Sequence, residues 1–158
     1  AAGAHYSGEI GEAHNPETHL IPNVLKAALS NKSNLKVFGN DYPTPDGTCV
    51  RDYVHVTDLA QAHLLGLEYM QNHKGFSAFN LGNGDGFSVL EVIKTCETIG
   101  DTKIPFQIDE RREGDPASLV ANCMNANASL GWSPIYGTLC QIINSAYNWH
   151  SSFKFKKS

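Results

Sequence analysis

Arginines in two polar segments have the chemistry of an anion-binding site. Arg51 follows a polar loop, and its apolar neighbours can hold the guanidinium half-buried. The run 111–116 (RREGDP) places Arg112 next to a glycine turn that also carries Asp115. A guanidinium is planar and always charged, and its N–H groups match two phosphate oxygens. Arg51 and Arg112 together would suit a pyrophosphate, and Asp115 would accept hydrogen bonds from sugar or ribose hydroxyls.

Structural explanations exist for the same residues. Arg51 could form an ion pair with Asp52 or Asp58, and the run 111–116 could be a surface turn whose charges neutralise one another. A third candidate, the glycine-containing loop 82–86, lacks the full G-x-G-x-x-G spacing and is predicted to be a plain strand-to-helix turn. The residue types alone leave both explanations of the arginines open.

Other chemistries have no matching pattern in the chain. No G-x-S-x-G nucleophile elbow and no Tyr-x-x-x-Lys pair occur. The seven histidines are scattered and no Cys-x-x-Cys pair is present, so no metal site is expected. The formal net charge of -4 argues against a nucleic-acid partner, because phosphate backbones need clustered Lys and Arg.

Helices and short strands in alternation must position these residues. Ser88 and Glu91 form a capping box, the clearest helix start in the chain. Thr57 is the predicted N-cap of the longest helix, which Gly75 would end. Helices are predicted at 21–31, 57–74, 88–100, 124–130 and 138–149, and strands at 35–38, 48–50, 77–81, 104–108 and 119–121. This order favours an α/β or α+β fold.

Several features indicate the setting in which the chain works. The segment 77–81 is apolar, like a strand covered on both faces, which indicates a larger sheet than 158 residues supply. No apolar run has the length needed to cross a membrane, and the N-terminus is unlike a signal peptide. The missing start Met indicates a truncated or processed chain. The four cysteines are interpreted as reduced packing residues, so a cytoplasmic location is expected.

Taken in order, the motifs resemble those of UDP-glucose 4-epimerases, members of the extended short-chain dehydrogenase/reductase group. The resemblance extends from residue 3 to about 150. Its most specific part is the run 46–60, DGTCVRDYVHVTDLA. The other matching segments are GAHYSGEIGE (3–12), HLIPNVL (19–25), FGNDY (38–42), FNLG (79–82), RREGD (111–115) and LGW (130–132).

The resemblance implies a fold and a reaction. The fold would be α/β, the C-terminal substrate-binding lobe of an extended short-chain dehydrogenase/reductase with the last elements of an incomplete Rossmann domain. Residues 1–158 would form this one portion, with about 54–100 packed on an absent NAD-binding half. The implied reaction is NAD-dependent epimerisation at C4 of UDP-glucose or UDP-galactose through a 4-keto intermediate. NAD and the catalytic Tyr-x-x-x-Lys would belong mainly to the absent half, so this chain alone is expected to be inactive.

The resemblance also assigns residues. Contacts to uridine and diphosphate fall on Leu25, Phe38, Arg51, Tyr53, Arg112 and Asp115. In this assignment the two arginines bind the phosphates, Asp115 binds the ribose hydroxyls, and Phe38 packs near the uracil. Leu119 matches the position that gates sugar size in this family. Val24 replaces an Asn that often stands there, so the hydrogen bond of that Asn is not supported here.

Several alternatives stay open. Leu119 is intermediate in size, which leaves UDP-glucose and UDP-N-acetylglucosamine undecided. The enzyme alternatives are a 4-epimerase of UDP-N-acetylglucosamine or UDP-xylose/arabinose and a sugar-nucleotide dehydratase, although the run 46–60 favours a 4-epimerase. An inactive, truncated nucleotide-sugar-binding fragment is the alternative of a different class. The expected partner is a UDP-sugar, with no membrane partner, and a homodimer is considered only for the full-length enzyme.

Overall fold

The structure, a computed structural model, describes residues 1–30 and 34–152. The elements in this part of the chain are α1 Leu20–Ser30, β1 Leu35–Phe38, β2 Val50–Arg51, α2 Val56–Asn72, β3 Phe87–Ser88, α3 Val89–Gly100, β4 Phe106–Asp109, β5 Ser118–Leu119, α4 Met124–Leu130 and α5 Leu139–Ser151. Asn31, the predicted end of the first helix, lies outside the described residues. None of the described helices is long and apolar enough to cross a membrane.

Helices α1, α3 and α5 enclose the larger hydrophobic core together with β1. Their apolar residues recur every three or four positions, so each helix presents one apolar face to the others. The members with no exposed surface are Val24, Leu25, Val92, Cys96, Ile142 and Ile143. Burying a side chain of this size contributes roughly 1.5–3 kcal/mol, so this core is the main source of stability.

A second, smaller core lies between α2 and α4. Its buried residues are Val54, Ala62, Ala126 and Trp132. The indole Nε1 of Trp132 donates to the backbone carbonyl of Asp58 at 2.9 Å. The carboxylate of Asp58 accepts from the backbone N–H groups of Ile135 and Tyr136, each at 3.0 Å. Asp58 therefore ties the first turn of α2 to the segment that follows α4.

The strands form two small sheets. β1 pairs in parallel with β4, in the register Leu35↔Phe106 to Phe38↔Asp109. β2 lies between antiparallel β3 and parallel β5, so that Arg51 is opposite both Phe87 and Leu119. Both parallel pairs join segments that are far apart in sequence. The predicted α/β class is confirmed.

Local signals located most elements correctly. β1 and α4 have the predicted bounds, and α3 begins at the predicted capping box. Ser88 Oγ accepts from Glu91 N at 3.0 Å, and the Glu91 carboxylate accepts from Ser88 N at 2.7 Å. Three short strands are shifted by one or two residues, to Val50–Arg51, Phe106–Asp109 and Ser118–Leu119. Shifts of this size are ordinary at element ends.

Helix α2 differs from the prediction at both ends. Its N-cap is His55 instead of Thr57, because His55 Nδ1 accepts from Thr57 N at 3.1 Å. The helix ends at Asn72 with an extended His73 as C-cap, so Gly75 lies beyond its end. Histidine is outside the usual set of capping residues, which is why the sequence pointed to Thr57.

The predicted strand at 77–81 is not a strand in the described residues, because none of them forms a ladder with it. Phe79 and Leu81 pack half-buried against the α2–α4 core, whereas Phe76 is 94% exposed. A strand needs a neighbour that satisfies its backbone groups, and the described chain offers none at this edge. The α2 residues Leu64 and Met70 are likewise exposed.

The four cysteines are free thiols, as predicted. Cys49 and Cys96 are buried, Cys123 is half-buried and Cys140 is exposed. Burial raises the pKa of Cys96 to about 12, so this thiol is a protonated packing group at neutral pH.

The buried carboxylate of Asp58 generates a prediction about stability. Asp58→Asn keeps the shape of the side chain but leaves one acceptor oxygen for two backbone N–H groups. We expect the free energy of unfolding to fall by about 1–3 kcal/mol. Urea unfolding followed by tryptophan fluorescence measures it. Asp85→Asn, the same substitution on an exposed loop, is the control and should change stability by less than about 0.5 kcal/mol. Equal stability of both variants would show that these two hydrogen bonds do not contribute.

The histidine cap makes stability depend on pH. Burial lowers the pKa of His55 below its ordinary 6.5, although the carboxylate of Asp58 raises it. Because Nδ1 accepts from Thr57 N, the neutral ring carries its proton on Nε2, 2.9 Å from Ser145 Oγ. The unfolded chain therefore binds a proton more readily than the folded chain. The stabilisation is complete above the unfolded pKa and is lost as the pH falls through the folded pKa.

We expect His55→Asn to reduce the loss of stability between about pH 7 and pH 5, since Asn can cap the helix without titrating in this range. Urea unfolding at a series of pH values gives the slope. His63→Asn, on the exposed side of α2, is the control and should keep the slope of the wild type. A His55→Asn variant with the wild-type slope would contradict the role of this histidine.

Candidate functional site

A cavity of about 590 Å³ opens between α1, the strands β1 and β2, and the segment 111–116. Its volume is within the range of roughly 300–1,000 Å³ that is usual for small-molecule sites. Five of the six residues predicted to bind a nucleotide line it: Phe38, Arg51, Tyr53, Arg112 and Asp115. The fold thus brings together side chains from three separate segments of the sequence.

The guanidinium of Arg51 is fixed against the segment 111–116. Nη1 donates to the backbone carbonyls of Val50 and Pro116, at 2.8 and 2.9 Å. Nη2 lies 3.2 Å from Oδ1 of Asp115, and the Arg51 side chain is 22% exposed. Arginine has five N–H donors, so these contacts orient the group without using all of them. Arg51 is therefore held in place with donors left for an anion in the cavity.

The ion pair of Arg51 is with Asp115, and neither Asp52 nor Asp58 pairs with it. Asp52 accepts from the backbone N–H groups of Asn83 and Ala121, at 2.8 and 3.0 Å. Asp58 binds two other backbone groups, as described above. Both carboxylates thus bind backbone N–H groups. The ion pair with Asp52 or Asp58 that the sequence left open for Arg51 is therefore wrong in its choice of partner.

The adjacent arginines of the segment 111–116 have different partners. The guanidinium carbon of Arg112 lies 3.9 Å from the ring centroid of Phe38, at the cavity wall. Arg111 points elsewhere: its Nε donates to Asp41 Oδ1 at 2.6 Å, and its guanidinium carbon lies 4.2 Å from the Tyr42 ring centroid. One arginine therefore anchors the segment, and the other is available to the cavity.

Gly39 makes the anchoring of Arg111 possible. Its φ of +81° is in the left-handed region that favours glycine, and a Cβ there would lie 2.7 Å from both Arg111 Cγ and the Tyr42 ring. Any side chain at this position would push Arg111 and the segment 111–116 away from β1.

Tyr53 contributes a half-buried phenol to the cavity wall and packs against the larger core. Burial is the main cause that raises its pKa to about 12, while the nearby Arg51 lowers it. The hydroxyl is therefore protonated at neutral pH and can donate a hydrogen bond to a ligand.

Two predicted positions do not line the cavity. Leu25 is 0% exposed, because α1 turns its side chain into the core while the next residue, Lys26, lines the cavity. Its contact with a nucleotide stays a prediction. Leu119, the predicted gate, is 62% exposed on β5 next to Arg51 and outside the cavity lining.

Sequence reasoning missed other residues of the cavity. Asn23, Lys26 and Ser30 line it from one face of α1, and Lys36 lines it from β1. The three α1 residues are spaced by three and four positions in an otherwise apolar helix, and this spacing could have identified them as one polar face. Lys36 also pairs with Asp109 at 2.7 Å.

The lining holds four cations against the single carboxylate of Asp115, although the chain as a whole carries a net charge of -4. The cavity is therefore suited to an anion.

The loop 82–86 is a structural turn, as predicted. The side-chain oxygen of Asn83 accepts from the backbone N–H groups of Asp85 and Gly86, at 3.3 and 3.4 Å. The backbone N–H of Asn83 is bound by Asp52. These amides are used within the protein, so the loop is not a phosphate cradle.

Known proteins show similarity along nearly the whole chain. UDP-glucose 4-epimerase of Halalkalibacterium halodurans is 51% identical over 150 residues, which are 95% of this chain and 45% of that protein. A crystal structure of UDP-glucose 4-epimerase is 50% identical and matches with a TM-score of 0.92, over 97% of this chain and 46% of the other. The enzyme of Bifidobacterium longum, solved with NAD+ and UDP, is 40% identical with a TM-score of 0.90, over 98% of this chain and 46% of the other.

The chain spans about half the length of the curated relatives it matches. The model of the NAD dependent epimerase/dehydratase family matches residues 3–82, which include Arg51, Phe38 and the α1 side of the cavity. This match covers half of the chain, and the chain belongs to the NAD dependent epimerase/dehydratase family.

Proposed function

We propose that this chain binds the UDP part of a UDP-sugar, and that the protein to which it belongs is an NAD-dependent UDP-glucose 4-epimerase. The observation that carries the proposal is the placement of Arg51, Arg112 and Asp115 on one electropositive cavity. The similarity to UDP-glucose 4-epimerases supports it, and the Bifidobacterium longum enzyme was solved with UDP. The reaction would be epimerisation at C4 between UDP-glucose and UDP-galactose.

In this proposal the cavity residues divide the nucleotide among them. Arg51 and Arg112 bind the diphosphate through charge-assisted hydrogen bonds. Asp115 accepts from the ribose hydroxyls, and Lys26 adds positive charge from α1. Phe38, whose ring is covered by Arg112, offers an aromatic surface near the base. Firm binding of the UDP would leave the sugar free to present either face to the reacting groups.

The described residues include no glycine-rich dinucleotide-binding loop. The loop 82–86 lacks the G-x-G-x-x-G spacing, and its amides are bound within the protein. The chain also has no Tyr-x-x-x-Lys pair. We therefore assign NAD and the catalytic base to a portion of the protein outside this sequence, and no step of the hydride transfer to residues of this chain.

The uncovered apolar residues fit docking to such a portion. Leu64, Leu67, Met70 and Phe76 are exposed within the segment 54–100 that was predicted to pack on an NAD-binding domain. Exposed apolar side chains in this number indicate a contact surface. A homodimer of the full-length protein stays a prediction. A cytoplasmic location is proposed because all four cysteines are free thiols.

The sugar specificity stays a proposal within the same class. Leu119 lies beside Arg51 on β5, and its exposed side chain would meet the sugar if the sugar extends from the diphosphate toward this edge. Its intermediate size keeps UDP-N-acetylglucosamine and UDP-xylose/arabinose as alternatives. A non-catalytic nucleotide-sugar-binding fragment is the second candidate function, since the cavity is built although the catalytic pair is absent from the chain.

Titration of UDP tests the cavity. Calorimetry on the purified chain, checked for folding by circular dichroism, should show saturable binding. Arg51→Ala together with Arg112→Ala should weaken it by at least about 100-fold, because each arginine–phosphate contact contributes roughly 1.5–3 kcal/mol. Lys103→Ala removes an exposed cation that pairs with Glu97 outside the cavity, and should change affinity by less than about two-fold. Equal affinities of the double variant and the wild type would refute the assignment. A folded chain that does not bind UDP is then compared with the full encoded protein.

Epimerase activity distinguishes the enzyme from the binding fragment. We expect residues 1–158 alone, with NAD and UDP-galactose, to form no UDP-glucose, and the full encoded protein to form it. Chromatography of the nucleotide sugars measures the conversion, and UDP-N-acetylglucosamine and UDP-xylose are assayed in parallel. Turnover by the isolated chain would overturn the assignment of the catalytic base to another portion. An inactive full protein that still binds UDP would favour the non-catalytic alternative.

A further inference from the structure

Four potential metal ligands meet in the segment that precedes α1. They are Glu12, His14, Glu17 and His19, and one ligand atom from each lies within 4.8 Å of the others. No metal site is predicted from the sequence, because the chain has no Cys-x-x-Cys pair and its histidines are scattered. A loop that folds back on itself has no fixed ligand spacing, so its donors converge only in three dimensions.

The convergence is tightest around one ring nitrogen. Nδ1 of His19 lies 3.1 Å from Glu12 Oε1 and 2.9 Å from Glu17 Oε1. The rings of His14 and His19 are 5.0 Å apart between centroids. A ring nitrogen carries at most one proton, so Nδ1 cannot give a separate hydrogen bond to each carboxylate. A cation between these atoms would satisfy both carboxylates and the imidazole lone pair together.

The cluster is held in position by the backbone. The side chain of Glu17 is only 4% exposed, and its Oε1 also accepts from His19 N at 2.8 Å. Glu12 lies on the other side, where its backbone carbonyl accepts from Trp149 Nε1 of α5 at 2.8 Å. A buried carboxylate in a fixed position is a ligand that needs little rearrangement to bind an ion.

We propose that Glu12, His14, Glu17 and His19 bind one Zn²⁺ ion. Two imidazoles and two carboxylates match the nitrogen and oxygen ligands of zinc, at bond lengths of roughly 2.0–2.2 Å. Tetrahedral bonds of that length put neighbouring ligand atoms about 3.3 Å apart, close to the distances around His19. Magnesium and calcium are disfavoured because they take oxygen ligands almost exclusively. Four protein ligands leave no open position, so the ion is structural.

The ion would join two parts of the fold near the nucleotide cavity. Glu12 is tied to α5, whereas His19 directly precedes α1, which supplies Asn23 and Lys26 to the cavity. The site itself is separate, since none of its four residues lines that cavity. Bound zinc would therefore fix the N-terminal end of α1 without touching the nucleotide, and the proposal does not depend on the proposed enzymatic function.

The test uses the full encoded protein without a histidine tag, because a tag would bind zinc itself. After dialysis against Zn²⁺ and then against metal-free buffer, elemental analysis should find about one zinc per chain in the wild type. His14→Ala together with His19→Ala should retain almost none. The matched control, His63→Ala together with His73→Ala, removes one histidine of α2 and its C-cap histidine, both outside the cluster, and should retain the zinc.

Calorimetric titration of Zn²⁺ gives the second measurement. Glu12→Gln changes a partly exposed side chain and should raise the Kd for Zn²⁺ at least about tenfold. Loss of a residue that only hydrogen-bonds to a metal ligand already weakens binding by about that factor. Circular dichroism of each metal-free variant shows that it is folded, and Glu12→Gln keeps the test valid if the double histidine variant unfolds. Zinc binding by the wild type that is no tighter than in Glu12→Gln, or a wild type that holds no zinc, would overturn the proposal.

Discussion

Two parallel strand pairs hold the cavity in shape. β1 pairs with β4 and β2 pairs with β5, so the loop 39–49 and the segment 110–117 are each fixed at both ends by the same two ladders. The two segments join one ladder to the other, and the segment 110–117 carries the cavity residues Arg112 and Asp115. Phe38 ends β1 and Arg51 ends β2, which places both next to the segment that carries Arg112 and Asp115. Without either ladder, the two arginines would not face one cavity.

The contacts of Arg51 show how the cavity keeps its geometry. Two backbone carbonyls and Asp115 hold the guanidinium in one orientation. The pair is partly exposed, so its own contribution to stability is small, about 0–1 kcal/mol. Its role is to restrict the rotamers of Arg51 and Asp115 before a ligand arrives. Such preorganisation lowers the entropy that binding must overcome.

Local signals in the sequence were sufficient where one segment decides its own structure. The capping box of Ser88 and Glu91 fixed the start of α3, and Gly131 fixed the end of α4 because it adopts the left-handed conformation. The cap of α2 was missed because His55 depends on Ser145, ninety residues away in sequence. The strand at 77–81 was wrong because strand formation needs a partner, which composition does not reveal.

The candidate site was predictable in its chemistry and only partly in its geometry. The residue types and the family resemblance located five lining residues, but the resemblance also assigned Leu25, whose side chain faces the core. Lys26 and Asn23 were overlooked because polar residues on a helix are ordinarily solvent-exposed. Whether Arg51 pairs with Asp52, Asp58 or Asp115 depends on a contact between distant segments, so only the folded chain could decide it.

The register of β4 against β1 determines which of the adjacent arginines, Arg111 or Arg112, anchors the segment and which faces the cavity. With Phe38 opposite Asp109, Arg111 reaches Asp41 and Tyr42 while Arg112 reaches Phe38. Gain of a single residue between β4 and Arg111 would move Arg111 into the cavity-facing position, whereas loss of one would put Glu113 there, although the composition of the segment would hardly change. Length in this short stretch is therefore under tighter constraint than residue identity, and homologous chains with an altered spacing there should carry the ligand-facing arginine one position earlier or later.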